Sequence, residues 1–234
     1  MPEEDYVFFG DKANAPYGNK TPGEVLALTK SALAFFREQG CKAMVIACNT
    51  ATAAAADALR AAYPDFPIIA VEPALKPAVT AHPGEEILLL TTPLAAGTSR
   101  IRALVRRFSG EAKITLLPCP GLVELIEAGH LRDAALTGYL RERFGSLPEP
   151  PRAVVLGCTH YPHIAAAIRD VLGEKTDLYD GGAGTARRTA DVLEKAGLRT
   201  ASDGEGEIKL LFSAGGDETV RLAQTLLYGA PGAP

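Results

Sequence analysis

At 234 residues, 47% of them hydrophobic, the chain has material for one large α/β domain or two smaller ones and can bury a sizeable core. Its net charge is only −4, with acids and bases interspersed, so there is no basic stripe to neutralise a phosphate backbone and nucleic acid is not expected as a partner. Apolar runs such as residues 43–47 and 87–90 fall far short of the ~20 residues that span a bilayer, and Met1-Pro2-Glu3-Glu4-Asp5 is the reverse of a cationic leader; the expected location is cytoplasmic, away from any membrane.

In chain order, residues 6–9 read as a strand and 10–20 as a loop rich in Asn, Pro and Gly. Thr21, Pro22 and Glu24 form a helix start, and the helix runs to about Gln39, where Gly40 stops it. A buried strand over 43–47, a loop at Cys48-Asn49-Thr50, an alanine-rich helix over 51–62 and a strand over 68–71 follow. Glu72-Pro73, with Pro77 and Pro83 close by, marks a crossing between domains. Beyond it come strands over 86–90, 113–117, 153–156 and 177–179, interleaved with helices over 98–107, 121–128, 131–144 and 163–172. The chain closes with a helix over 183–196, a strand over 207–212, a helix over 218–227 and a tail, 229–234, expected to be disordered. Strands alternating with helices in this way imply a largely parallel sheet architecture.

The four cysteines, at 41, 48, 119 and 158, include no CxxC pair and none of the crowding of a secreted scaffold, so free thiols are expected. No metal is expected, because the cysteines and histidines do not show the ligand spacings of a zinc site. Cys41 and Cys119 read as small buried hydrophobes. Cys48 and Cys158 differ from them: residues 42–50 and 152–160 share the order basic residue, apolar strand, small residue, cysteine, polar pair. Matching domains would set both thiols at equivalent strand ends, where open α/β sheets bind ligands and where helix amides lower a thiol pKa. His160 suits either a backbone cap or proton transfer beside Cys158. His82, His130 and His163 lie in prolyl, loop or helix-start contexts that favour exposure. Glu72 reads equally as a solvated loop acid or as an auxiliary carboxylate facing the cleft. Residues 181–185 lack the lysine of a phosphate loop and read as a turn and helix start.

Across nearly its whole length the chain resembles the glutamate racemases. The resemblance is carried by residues 9–20 (FGDKANAPYGNK), 47–51 (ACNTA), 71–77 (VEPALKP), 119–123 (CPGLV) and 156–162 (LGCTHYP). It implies two similar parallel-sheet α/β domains facing each other across a cleft, no cofactor, and glutamate as substrate, with D-glutamate supplied for peptidoglycan. It further implies two opposed bases, Cys48 acting on D-glutamate and Cys158 on L-glutamate, with His160 assisting Cys158. Pro16, Tyr17, Gly18, Asn49, Thr50 and Thr159 would hold the substrate's carboxylates and ammonium. Thr92 and Thr98 occupy the outer places of a Thr, Thr, Ser pattern whose middle hydroxyl is lost at Ala95. The family's opening strand, with its Asp-Ser-Gly motif, has no counterpart. Residues 1–80 with 181–228 would form the first domain and 81–180 the second, and a homo-oligomer, a dimer, is expected. A different reading keeps the cleft but not the catalysis: a binding module for a small dicarboxylate or a protein.

Overall fold

The computed structural model describes residues 1–147 and 149–228, so the expected disordered tail lies outside the described residues. The first strand, β1 (Tyr6–Gly10), is followed by two single 3-10 turns (Lys12–Asn14 and Tyr17–Asn19) and helix α1 (Pro22–Glu38). Thr21 opens α1 with a full capping box: its hydroxyl accepts from the Glu24 N–H while the Glu24 carboxylate accepts from the Thr21 N–H. Then come β2 (Met44–Ile46), α2 (Asn49–Ala62), β3 (Ile68–Ala70) and α3 (Leu75–Ala81). The sequence reading took this stretch, with Pro73, Pro77 and Pro83, as a crossing between domains and placed no helix in it, yet Pro77 does not prevent one. That proline is the third residue of the helix, in the first turn, where a backbone N–H has no helical acceptor and none is lost.

Next lie β4 (Glu86–Thr91), α4 (Pro93–Gly97), α5 (Ser99–Phe108), β5 (Lys113–Pro118), α6 (Leu122–Glu127), α7 (Ala134–Phe144), β6 (Ala153–Leu156), α8 (Ala165–Leu172) and β7 (Asp177–Asp180). The order β5-β4-β6-β7 makes a four-stranded, all-parallel sheet. Its strands read as continuous apolar runs because both faces are covered. Alternate residues feed opposite cores: Leu88, Leu90, Val154 and Leu156 pack with α6, α7 and α8, whereas Ile87, Leu89, Ala153 and Val155 pack with α3 and α5. His82 belongs to this body and is buried, contrary to the exposure expected of it. Its Nε2 lies 3.2 Å from the Tyr179 hydroxyl and 3.1 Å from Asp177 Oδ2, so polar partners make its burial tolerable.

The chain ends with α9 (Gly182–Lys195), β8 (Ile208–Phe212) and α10 (Asp217–Tyr228). β8 returns to pair in parallel with β1, and β2 pairs in parallel with β3; these are two separate two-stranded ladders. Tyr6 from one ladder and Val45 from the other face a common cavity, and Tyr6, Phe8, Val45 and Ile208 are all at least 39% exposed. α1 lies across both ladders: Phe35 stacks 5.2 Å from Phe9 of β1, and Phe36 joins the core of Met44, Ile46 and Leu59. Among the described residues no helix is long and apolar enough to cross a membrane.

Candidate active site

Cys48 follows β2 in extended conformation and is the N-cap of α2, so the helix begins at Asn49 rather than after the expected loop. The Ala51 N–H donates to Cys48 Sγ at 3.5 Å. Cys158 lies two residues past the end of β6, buried at 7% exposure. Both thiols therefore stand at the carboxyl ends of parallel strands. The structure reverses one expectation about them. Burial pushes the Cys48 pKa up, outweighing the N–H groups of Ala51 and Thr50, and it pushes Cys158 up to about 12, outweighing the N–H groups of His160 and Tyr161. Desolvation of a thiolate wins over the backbone amides, so both sulfurs are protonated at neutral pH. The thiols also feel each other: ionising Cys48 raises the Cys158 pKa further.

Cys158 and His160 lie in the turn that follows β6, and this turn carries the imidazole towards the thiol. His160 Nδ1 lies 3.8 Å from Cys158 Sγ, and its Nε2 lies 2.6 Å from Glu127 Oε1. The hydrogen bond to His160 holds the Glu127 pKa below its ordinary value. Glu127, on α6, completes a thiol–imidazole–carboxylate chain, and sequence reasoning assigned it no role. Nothing distinguishes it in sequence from Glu124, which is also on α6 and receives an N–H from Asn19 at 2.7 Å.

On the Cys48 side, Tyr17 donates from its hydroxyl to Asp11 Oδ2 at 2.6 Å. Burial, Asp11 and the nearby Cys48 all raise the Tyr17 pKa. Burial works to raise the Asp11 pKa, but bonds from Tyr17, Ser213 and Asn14 outweigh it and keep the carboxylate ionised. Asp11, too, had been given no role in the sequence reading. Pro16 precedes this turn through a cis peptide. The Gly18 backbone packs on Thr92, whose Cβ would lie 3.2 Å from any Cβ added at Gly18. Thr92 and Thr50 share a hydroxyl–hydroxyl bond of 2.9 Å. Asn49 is buried, and its Oδ1 has no hydrogen-bond partner. A buried acceptor left unmatched in this way is costly unless something fills it. It lines the mainly apolar cavity of about 450 Å³ between the two ladders, together with Cys158 and Thr159; Cys48 lies outside that lining.

Thr98 and Glu72 are placed differently. The Thr98 hydroxyl caps α5, accepting from the Ile101 N–H at 3.3 Å and donating to the Ala95 carbonyl at 2.7 Å. Glu72 lies in the link after β3, nearly half exposed, paired with Arg100.

Two free thiols at equivalent strand ends of a parallel α/β frame, one tied through imidazole to a carboxylate, define a paired-thiol α/β protein. The pattern of the Asp/Glu/Hydantoin racemases matches residues 1–189. The glutamate racemase of Clostridium perfringens (strain ATCC 13124) is 40% identical over 228 residues, which cover 97% of this chain and 88% of that one. Among solved structures, Escherichia coli glutamate racemase in complex with L-glutamate and the activator UDP-MurNAc-ala superposes with a TM-score of 0.80 at 33% identity, over 96% of this chain and 86% of that one. The fold is shared as well with glutamate racemase from Francisella tularensis, at a TM-score of 0.83 and 23% identity, over 98% of this chain and 85% of that one. The chain belongs to the Asp/Glu/Hydantoin racemase family and is an amino-acid racemase, an isomerase.

Proposed function

We propose that the protein interconverts L- and D-glutamate through its thiols alone, and that the D-glutamate formed serves peptidoglycan synthesis. Residues 1–80 with 181–228 form one half of the site and 81–180 the other, with substrate held between them. The observation that carries this reading is the pair Cys48 and Cys158 at matched strand ends, beside an Asn49 oxygen that lacks a donor. A substrate ammonium supplies that donor, and its positive charge favours a thiolate nearby. One sulfur, as thiolate, removes the α-proton, and the resulting carbanion takes a proton from the opposite thiol. The first sulfur is left neutral and the second charged. Because the Cys48 thiolate raises the pKa of Cys158, the two sulfurs are not both ionised, and the thiolate that the substrate ammonium favours stands opposite a neutral thiol, as a two-base inversion requires. Cys158 acts on L-glutamate with His160 as its proton partner; Cys48 acts on D-glutamate.

Circular dichroism of glutamate solutions tests this. The chain is expected to racemise both enantiomers, and Cys48→Ala and Cys158→Ala are each expected to lose about 10²- to 10⁴-fold in kcat, the range of a positioned acid or base. Undiminished racemisation by either variant would sink the two-thiol mechanism.

A further inference from the structure

Arg100, at the second position of α5, ties three separate pieces of chain together. Its Nη1 donates to both carboxylate oxygens of Asp57 at 2.8 Å each, and its Nη2 donates to Glu72 Oε1. Asp57 belongs to α2, the helix capped by Cys48, and Glu72 to the link that leads out of β3 towards the four-stranded sheet. The return link touches the same point. A Cβ added at Gly181, just after β7, would lie 2.5 Å from the Glu72 carbonyl oxygen and 2.9 Å from Val71 Cγ2. Arg60 approaches Asp57 at 3.6 Å, so two guanidinium groups face two carboxylates and the cluster is balanced in charge. The Arg100 side chain is 24% exposed while Asp57 is 76% exposed, so the guanidinium is half sunk and its carboxylate partners face solvent; the tie acts through its geometry rather than through a large electrostatic energy.

Closer to the chemistry, α2 is also tied to the Thr92 cap of α4 by the Thr50–Thr92 hydroxyl pair at 2.9 Å. Thr50 and Asp57 are seven residues apart, or about 10 Å along the helix at roughly 1.5 Å per residue. Core packing of Ala51, Ala55, Ala56 and Leu59 against α1 holds the inner face of α2, and two polar ties that far apart on its outer side add to the fixing of its direction. A planar guanidinium bonded to two carboxylates also resists rotation better than an ammonium does.

We propose that Arg100 is a positioning residue that fixes the Cys48 helix relative to the Cys158 half of the site. The inference rests on the racemase reading. Arg100 touches no reacting atom; its effect reaches the reaction through the direction of α2. Since a misplacement of about 1 Å can cost about 10²-fold in rate, Arg100→Gln is expected to lower kcat about 10- to 100-fold in both directions, with KM changed less than about threefold. Arg100→Lys is expected to fall between, and Arg100→Gln added to an Asp57→Asn/Glu72→Gln background is expected to cost nothing further.

The deciding experiment combines these kinetics with bridging of Cys48 to Cys158 by a short bifunctional thiol reagent, read as the cross-linked peptide by mass spectrometry. Faster bridging in the unaltered chain than in Arg100→Gln and Arg100→Lys supports the tie even if the unaltered chain shows no racemisation, the result that would instead overturn the glutamate reading. Equal bridging rates with unchanged kcat overturn the tie, as does a loss in KM alone. Should Arg100→Gln lose its folded circular-dichroism spectrum, the Lys variant decides by the same two readouts.

Discussion

At the scale of single residues, the strongest physical tension in the molecule is the burial of two thiols beside backbone amides, Cys48 at the N-cap of α2 and Cys158 in the turn after β6. The amides favour a thiolate and the apolar surroundings oppose it, and at Cys158 the surroundings win. Its pKa rises from the ordinary thiol value of 9.0 to about 12. The unfolded chain then loses this proton near pH 9 while the folded chain keeps it to about pH 12, so between those limits the unfolded state binds fewer protons. Stability must therefore fall as pH rises through that window. Thermal melts from pH 8 to pH 11 are expected to drop more steeply for the unaltered chain than for Cys158→Ala; parallel slopes would show that the thiol is not buried in neutral form. Glu127 poses the second residue-scale test. Its carboxylate is 2.6 Å from His160 Nε2 and orients the ring towards Cys158. Glu127→Gln keeps the size but not the charge, and is expected to slow racemisation about tenfold or more, equally in both directions because both cross one transition state, and to slow exchange of the α-proton of L-glutamate with solvent deuterium more than that of D-glutamate. Equal losses of exchange for the two enantiomers would remove Glu127 from the Cys158 side.

At the scale of elements, the sequence was legible wherever one local signal decided the outcome. The Thr21-Pro22-Gly23-Glu24 start, the apolar runs of β4 and β6, and the repeated strand–cysteine order all specify their elements without help from elsewhere. The elements that were not legible depend on distant parts of the chain. α3 contains a proline, and its Leu75, Ala78 and Val79 become helical by packing against Ile87, Leu89 and Val155. α4 is a five-residue helix whose Thr92 cap is held by Thr50, 42 residues away in sequence. The site divides the same way. Cys48, Asn49, Thr50, Cys158 and His160 stand out by local order, whereas Asp11 and Glu127 become distinctive only through the Tyr17 hydroxyl and the His160 ring that meet them in space. The direction of the thiol pKa shifts was misread for the same reason, since helix ends are visible in sequence and burial is not.

At the scale of the whole molecule, the two sets of strands are unequally supported. The four-stranded sheet is covered on both faces, and Ile87, Leu89, Leu90, Val154 and Val155 have no exposed surface. The β1–β8 and β2–β3 ladders each have two strands, fewer than a sheet needs for independent stability, and are held chiefly by the helices that cross them. A cavity bounded by Tyr6, Val45, Val71 and α9 separates them, so apolar side chains there do without packing partners on one side. Opening free energies should follow this inequality, because local unfolding selects regions with few buried apolar contacts. In native-state hydrogen exchange, the amides of residues 88–90 and 154–156 are expected to open only with the whole molecule, and those of 7–9 and 45 through smaller openings at lower cost. A denaturant series separates the two classes by slope, since global opening exposes more surface than local opening does. Side-chain substitutions are expected to rank accordingly. Val45→Lys, at a position 39% exposed, is expected to cost no more than about 0.5 kcal/mol. Leu89→Ala, fully buried, is expected to cost about 2–5 kcal/mol. Matching protection in both sets of strands, or a Val45→Lys cost as large as that of Leu89→Ala, would mean that the ladders form one closed core in solution and that the cavity between them is filled.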